Sequence, residues 1–375
     1  MRAYDLVVFG ATGFTGGLVA EYLATRLASS PVRWALAGRD RSKLMAVRSR
    51  IAAGQPKLAE LPLVIADTSD EASLRDMAES CRVVLTTVGP YARYGEPLVA
   101  ACVEASTDYV DLTGEPGWWQ MIIARHHERA MLRGALIVPC CGFDSIPHDL
   151  GAYVTARELK ADGPIEIDAY VWARGRASGG TWASAIGILA DPRSAMGGLE
   201  RGMRPHFEPA VKRWVVPLPT IDPLVVRRSA QFEPTLGAAL RYRHWMQTRS
   251  LAQTAGILAG AGALMGLVRI APARNALLKL KSSGEGPTPE QRAKGKFIVT
   301  LVGRTGDRVV RTEVRGHDPG YDHTAKMISE SALTLVEDRD RLPHAGGVLT
   351  PASALHEPLL ARLRGTGMEF RVQRD

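Results

Sequence analysis

Three glycines spaced three apart, Gly10, Gly13 and Gly16, follow the apolar run Leu6, Val7, Val8, Phe9 and precede a helical pattern through Leu18, Val19, Tyr22 and Leu23. A buried parallel strand that enters a helix through a glycine-rich turn is suited to holding phosphate. The first glycine permits the tight turn, the second lets backbone approach a pyrophosphate, and the third lets the helix pack closely on the strand. Unpaired N–H groups and the helix dipole then favour an anion at the N-terminus of that helix. The spacing, GxxGxxG, is one residue longer than the common GxGxxG, and its setting between strand and helix is what gives it weight. Gly10, Thr12, Gly13, Phe14, Thr15 and Gly16 are therefore expected to bind a dinucleotide.

The choice between NAD and NADP is made at the end of the second strand of such a unit, where an acid holds the ribose 2′-hydroxyl or an arginine accepts a 2′-phosphate. Here the strand ends Gly38-Arg39, with Arg41 and Lys43 close behind and Asp40 as the one acid among them. A guanidinium grips phosphate with two parallel hydrogen bonds and stacks on adenine. The expectation is NADP(H), with Arg39 as the main 2′-phosphate ligand and Lys43 assisting. Asp67, at the end of the third strand, reads either as a contact to the adenine edge or as a helix N-cap before the polar run that follows. Thr87, Gly89 and Pro90 close the fourth strand, where the nicotinamide ribose is expected.

These residues need a parallel sheet to bring the strand ends together. Trp34–Arg39, Leu61–Asp67, Val83–Gly89, Asp108–Thr113 and Ala135–Cys141 read as the second to sixth strands, with helical patterns between them. Six strands alternating with helices predict a doubly wound Rossmann domain over residues 1–143. Beyond Asp144 the texture changes. Ile165–Ala173, Lys296–Gly303 and Arg308–Gly316 have strand character, the last two joined around Thr305-Gly306, while Ala183–Leu189 and Tyr321–Val336 look helical. The fold class is thus α/β, with a second, α+β domain over 144–345 carrying a partly antiparallel sheet. A C-terminal helix, capped by Thr350 with Pro351 in its first turn, is expected to pack back on the Rossmann domain within 346–375.

The chain has 375 residues, enough for two cores, and its 46 % apolar and 23 % charged content is that of a globular protein. Four cysteines in this length fit a reducing compartment, and adjacent Cys140 and Cys141 lack the spacing of a metal site, so no metal is expected. The opening strand is too short for a signal peptide, which points to a cytoplasmic protein. Net charge +8 and a pI near 9.4 suit anionic partners, but no aromatic-interleaved basic cluster points to nucleic acid. A homo-oligomer is the expected assembly.

Thr254 to Val268 carries no charge, is rich in Gly, Ala and Leu, and is flanked by Arg241, Arg243 and Arg249 on one side and Arg269, Arg274, Lys279 and Lys281 on the other. It is shorter than the roughly 20 residues of a spanning helix. Two readings stand: a buried helix or lid over a pocket, or a peripheral contact with the inner face of the plasma membrane.

The blocks GATGFTG, AGRDRSKL, TTVGPYARYGEPLVAACVEASTDYVDLTGE and GFDSIPHDLG, with SGEGPTPEQR, GYDHTAKMISESAL and GGVLTPASAL further on, resemble the saccharopine dehydrogenase-like oxidoreductases. The resemblance covers nearly the whole chain and is greatest to their actinobacterial branch, the trans-acting enoyl reductases. It implies an NADPH-dependent reductase that serves polyketide synthases lacking an enoyl reductase domain, on the route to phthiocerol- and phenolphthiocerol-type glycolipids of the cell envelope. The substrate would be an acyl thioester or a carrier-protein-bound enoyl chain.

Enoyl reduction places a hydride on the β-carbon and a proton on the α-carbon, and needs donors for the enolate-like oxygen. Tyr91 and Tyr94 follow the fourth strand, Asp111 and Glu115 the fifth, and Asp144, Ser145 and His148 the sixth. Tyr91 and His148 are the expected proton donors, with Asp144 orienting or capping. For His148 the competing reading is a plain helix-start residue beside Pro147. Two other functions remain open from sequence. One is an imine reductase of the saccharopine type, for which Arg174, Arg176 and Arg193 could bind a diacid. The other is a non-catalytic NADP(H)-binding sensor or scaffold.

Overall fold

Leu6, Val7 and Val8 are wholly buried, and that burial explains why an apolar run leads the chain. It forms β1 (Tyr4–Phe9), followed by α1 (Phe14–Arg26), β2 (Trp34–Gly38), α2 (Arg41–Gly54), β3 (Leu63–Ile65), α3 (Glu71–Ser80) and β4 (Cys81–Thr86). Next come the single turn α4 (Tyr91–Tyr94), α5 (Glu96–Glu104), β5 (Asp108–Val110), α6 (Pro116–Arg133), β6 (Leu136–Val138), α7 (Ile146–Leu159) and β7 (Glu166–Arg174). The middle of the chain forms β8 (His206–Glu208), β9 (Arg213–Pro217), α8 (Asp222–Phe232), β10 (Arg241–Thr248), α9 (Leu251–Val268), α10 (Ala271–Lys279) and α11 (Pro289–Ala293). It closes with β11 (Lys296–Thr305), β12 (Arg308–His317), α12 (Asp322–Glu337), β13 (Gly347–Val348), α13 (Pro351–Gly365) and β14 (Glu369–Arg374). This computed structural model describes residues 2–175, 182, 186, 189, 198–280 and 286–374.

Two compact units emerge, one from Met1–Thr113, Trp118–Phe143 and Tyr321–Thr366, the other from Gly114–Gly117, Asp144–Gly320 and Gly367–Asp375. The first unit holds a seven-stranded sheet in the order β13-β6-β5-β4-β1-β2-β3. Every pairing is parallel, with β1 central in register Val7↔Ala35 on one side and Val7↔Val84 on the other. This is the doubly wound arrangement, and it gathers the carboxyl ends of β1, β2 and β4 along one edge, where ligands of such sheets bind.

The second unit is built on another seven-stranded sheet, β14-β12-β11-β7-β10-β9-β8. Only β7 and β10 run parallel; the other neighbours are antiparallel. Helix α7 packs on β11 and β12, and Gly151 makes that approach possible. A Cβ there would come within 2.8 Å of Leu301 Cδ1 and 3.1 Å of Val314 Cγ2. The hairpin β11–β12 turns at Gly306, whose φ of +53° lies in the left-handed region that glycine adopts freely.

The division departs from the expected segments 1–143, 144–345 and 346–375. Residues 321–345 belong with the first unit, because α12 packs on α1, β4 and β5. Helix α13 also lies there, against α12 and β6, and begins with a full capping box between Thr350 and Ser353. Strands β8, β9, β10, β13 and β14 and helix α8 carry no clear sequence pattern. In β10 the reason is visible. Arg241, Arg243 and Gln247 interleave with buried Tyr242, His244 and Trp245, so alternation is masked by side chains that pair across the sheet.

The buried-helix reading of 254–268 does not hold. Within α9 only Thr254 and Val268 are buried, while Leu258 and Leu267 are each 46 % exposed. By length and composition this helix could cross a membrane. The expected helix Ala183–Leu189 lies outside the described residues except for Ile186 and Leu189, as do Arg176, Arg193 and the beginning of SGEGPTPEQR.

Candidate active site

In the first unit the glycine turn is shaped by contacts no side chain would tolerate. Gly10 has a φ of +88°, and a Cβ on it would meet Thr87 Oγ1 and Val88 Cγ2 at 2.8 Å. At Gly16 a Cβ would lie 2.1 Å from the Gly10 carbonyl oxygen. Helix α1 therefore runs hard against the end of β1. Gly13 is its N-cap, and it offers no side-chain cap and no acid in the first turn. The positive end of the dipole is thus left for an external anion, which suits a pyrophosphate. Thr12 and Gly13 are exposed, and Phe14 and Thr15 are half-buried. The Phe14 ring meets Tyr321 edge-on, with centroids 5.1 Å apart, which holds the turn against the start of α12.

Arg39 stands exposed after β2, and its charge lowers the pKa of Asp67 at the end of β3, behind the larger effect of the Ser69 hydrogen bonds. Asp67 is no helix N-cap. Its carboxylate accepts from Ser69 N and Oγ, whereas Asp70 caps α3 through Ala72 N and Ser73 N. Asp40 caps α2 by accepting from Lys43 N, and the Lys43 ammonium lies 4.0 Å from it. Thr87 donates to the Gly10 carbonyl, tying the fourth strand end to the glycine turn, and Gly89 and Pro90 follow directly. Tyr91 is buried beside Trp118. Its hydroxyl donates to Thr86 O and accepts from Leu112 N, so it ties the end of β4 to the chain just after β5.

Asp144 and His148 lie in the second unit. The N-cap of α7 is Ser145, so Asp144 precedes the cap and does not provide it. Asp144 is solvent-accessible yet crowded by protein, and that crowding raises its carboxyl pKa. His148 sits in the first turn of α7, buried, with Nε2 3.7 Å from Asp222 Oδ1. At the other carboxylate oxygen of Asp222, His244 Nδ1 is 3.5 Å from Oδ2. Thr220 donates to Asp222 and lies 2.8 Å from His244 Nδ1. The two imidazoles meet edge-on at 4.6 Å.

Burial biases this cluster toward its uncharged forms. Burial, with the Asp144 and Asp149 charges adding to it, pushes Asp222 well above the carboxylate range. Burial also pushes His244 down to about 3 and, with His244 as neighbour, His148 well below its ordinary value. His148 is therefore no imidazolium donor near neutrality. Titratable groups whose environments force their pKa values apart mark a functional candidate. Asp144 and His148 are legible in the sequence; Asp222 and His244 are not. Asp222 precedes a proline in an unremarkable helix start, and His244 is hidden in β10. His148, Asp222 and His244 also form a group with metal-ligand chemistry, their ligand atoms all within 4.8 Å of one another. With Thr220 between Asp222 and His244, hydrogen bonding accounts for that side of the group.

A separate concavity of about 370 Å³ opens in the second unit between Asp168, Tyr170, Arg204, Glu208, Arg243 and Trp245. Its charges are largely paired: Arg243 grips Asp168 with two hydrogen bonds of 2.7 Å, and Arg241 binds Glu200 at 2.8 Å.

The sequence profile of the saccharopine dehydrogenase NADP binding domain matches residues 6–138. A trans-acting enoyl reductase of Mycobacterium ulcerans is 36 % identical over 419 aligned positions, covering 100 % of this chain and 98 % of the relative. A trans-acting enoyl reductase of Mycobacterium tuberculosis is 37 % identical over 421 positions with the same coverage. Among solved structures, apo saccharopine dehydrogenase (L-Glu forming) of Saccharomyces cerevisiae superimposes with a TM-score of 0.60 at 14 % identity, over 99 % of this chain and 100 % of that one. This last likeness is one of fold.

Proposed function

The chain belongs to the saccharopine dehydrogenase-like oxidoreductases, in the group of the mycobacterial trans-acting enoyl reductases; it is an NADP-dependent oxidoreductase, and we propose that it reduces the double bond of a 2-enoyl thioester. The observation that carries this reading is identity of 36–37 % along the entire chain to relatives of that name. Carriage of the substrate on an acyl carrier, and the place of the product in phthiocerol-type lipids, extend the same reading.

In it, Gly10, Thr12, Gly13, Phe14, Thr15 and Gly16 hold the pyrophosphate at the start of α1. Arg39 and Lys43 hold the 2′-phosphate, and Asp67 borders the adenine. Thr87, Gly89 and Pro90 flank the nicotinamide ribose. NADPH, when bound, supplies a hydride for the β-carbon. Asp144, accessible and with its carboxyl pKa raised by burial, is the candidate donor of the α-carbon proton. His148 and Asp222, 3.7 Å apart in the same unit, are the groups from which that proton would be restored. Tyr91 keeps a positioning role, since its hydroxyl ties the end of β4 to the chain just after β5.

The test is NADPH consumption by purified protein with a medium-chain 2-enoyl thioester, free and carrier-bound, with NADH as control. Turnover that prefers NADPH and collapses in Asp144→Asn is the expected result. Tight NADPH binding with no turnover of either thioester would overturn the enoyl reading.

A further inference from the structure

The segment 249–280 leaves the second unit's sheet at the end of β10, and the chain re-enters that sheet at β11. Both ends therefore belong to one side of any surface the segment meets. Helix α9 has 18 residues, about 27 Å at 1.5 Å per residue, whereas α10 has nine, about 14 Å. A hydrocarbon core is about 30 Å thick, so α10 cannot return a chain that α9 has carried across. The pair can only lie in one leaflet.

Much of what α9, α10 and their flanking residues present to solvent is apolar. Leu251, Leu258, Leu267, Ile270 and Leu280 are all exposed, from 46 % to 70 %. Nothing lies within 4 Å of a Cβ placed on Gly256, Gly260, Gly262 or Gly266. The base of the hairpin is anchored, because Thr254 Oγ1 bonds Thr248 Oγ1 at 2.7 Å and Trp182 Nε1 donates to Leu277 O at 2.7 Å. An apolar surface of this extent on a fixed support marks an interaction site.

Charge selects the occupant. Residues 249–280 include Arg249, Arg269, Arg274 and Lys279 and not one acid. A second copy packed through the same face would bring these cations together with nothing on either segment to balance them. Anionic headgroups balance them directly, and the apolar residues between them reach the acyl boundary. We propose that α9 and α10 form a one-leaflet docking hairpin that inserts into an anionic phospholipid surface. This stands apart from the identity of the reaction.

The experiment is flotation of the full chain with phosphatidylglycerol/phosphatidylcholine vesicles, against pure phosphatidylcholine, at low and high salt. Wild type is expected to float with the anionic vesicles, weakly with neutral ones, and less at high salt. Leu258→Glu with Leu267→Glu is expected to reduce the bound fraction at least tenfold. Thermal stability and NADPH affinity, measured on the same preparation, should not change, since both leucines point to solvent. Arg269→Gln with Arg274→Gln should weaken binding to anionic vesicles alone. Absence of flotation at low salt, or equal flotation of the leucine variant, overturns the proposal. So does a dimer by light scattering that the leucine variant dissociates while no form of the protein floats; that result would make a second copy the occupant.

Discussion

Replacing Gly16 with alanine tests the geometry of the cofactor turn more sharply than any charge change. The added Cβ would sit 2.1 Å from Gly10 O and 2.8 Å from both Gly10 C and Thr87 Oγ1. Real Cβ contacts almost never fall under 3.0 Å, so about 0.9 Å must be recovered by moving backbone against backbone. The end of β1, the start of α1 and the end of β4 all meet here, and none is a flexible side-chain tip. Overpacking of this kind costs about 3 kcal/mol, at the upper end of the usual range. In a unit of about 185 residues that corresponds to a Tm lower by about 6–12 °C. NADPH affinity should fall at least tenfold, because the shift displaces the N-terminus of α1. Gly17→Ala is the internal control. Its Cβ would meet Arg50 Nη2 at 2.9 Å, the far end of a long side chain, and otherwise only Ala11 O at an ordinary 3.9 Å. Helix propensity there favours alanine by about 1 kcal/mol. The assay is thermal unfolding without cofactor, then NADPH titration by fluorescence. A Gly16→Ala protein melting within about 2 °C of wild type would refute the close-approach argument.

Arg39→Ala should weaken NADPH binding by about 10- to 100-fold, the worth of a charge-assisted hydrogen-bond pair, while NADH affinity stays level; equal losses for both cofactors would place the 2′-phosphate elsewhere. Glu330→Ala should destabilise the first unit by about 3 kcal/mol in urea unfolding, because buried Glu330 accepts from Tyr22 at 2.6 Å and Arg26 at 2.9 Å and pairs with Arg362 at 3.5 Å. A loss under about 1 kcal/mol would reduce that network to surface pairing. His244 sets a pH dependence. Its folded pKa lies near 3 against an ordinary 6.5, so between those values the unfolded chain binds a proton that the folded chain refuses. Its contribution to stability thus declines as pH falls through that window, by about 1.4 kcal/mol per pH unit at most. Urea unfolding at pH 7 and pH 5 should show a shallower loss in His244→Gln than in wild type; parallel losses would mean His244 charges freely.

The Rossmann unit was legible because its signals are local. Glycines at 10, 13 and 16, an apolar run before them and Arg39 after the second strand all act within a few residues of one another. The cap at Thr350 was legible for the same reason, since a capping box spans four positions. The second unit was less so. Its sheet is ordered β14-β12-β11-β7-β10-β9-β8, so strands far apart in sequence become neighbours, and Arg243 of β10 is polar only because Asp168 of β7 waits opposite it.

The same distinction runs through the site. Sequence alone determined the cofactor turn, its preference for a phosphate-bearing dinucleotide and the family, because phosphate recognition depends on backbone freedom and charge type at fixed spacing. Tertiary structure decided the surroundings of the candidate acid–base residues. It withdrew Tyr91 into packing, moved Asp144 off the helix cap, and joined His148 to Asp222 and His244 from 74 and 96 residues further along the chain. It also decided that Leu251–Val268 faces outward. A pKa is set by how much water the fold removes and which charges it leaves nearby, and an apolar run becomes core or surface only when a sheet covers it or leaves it open.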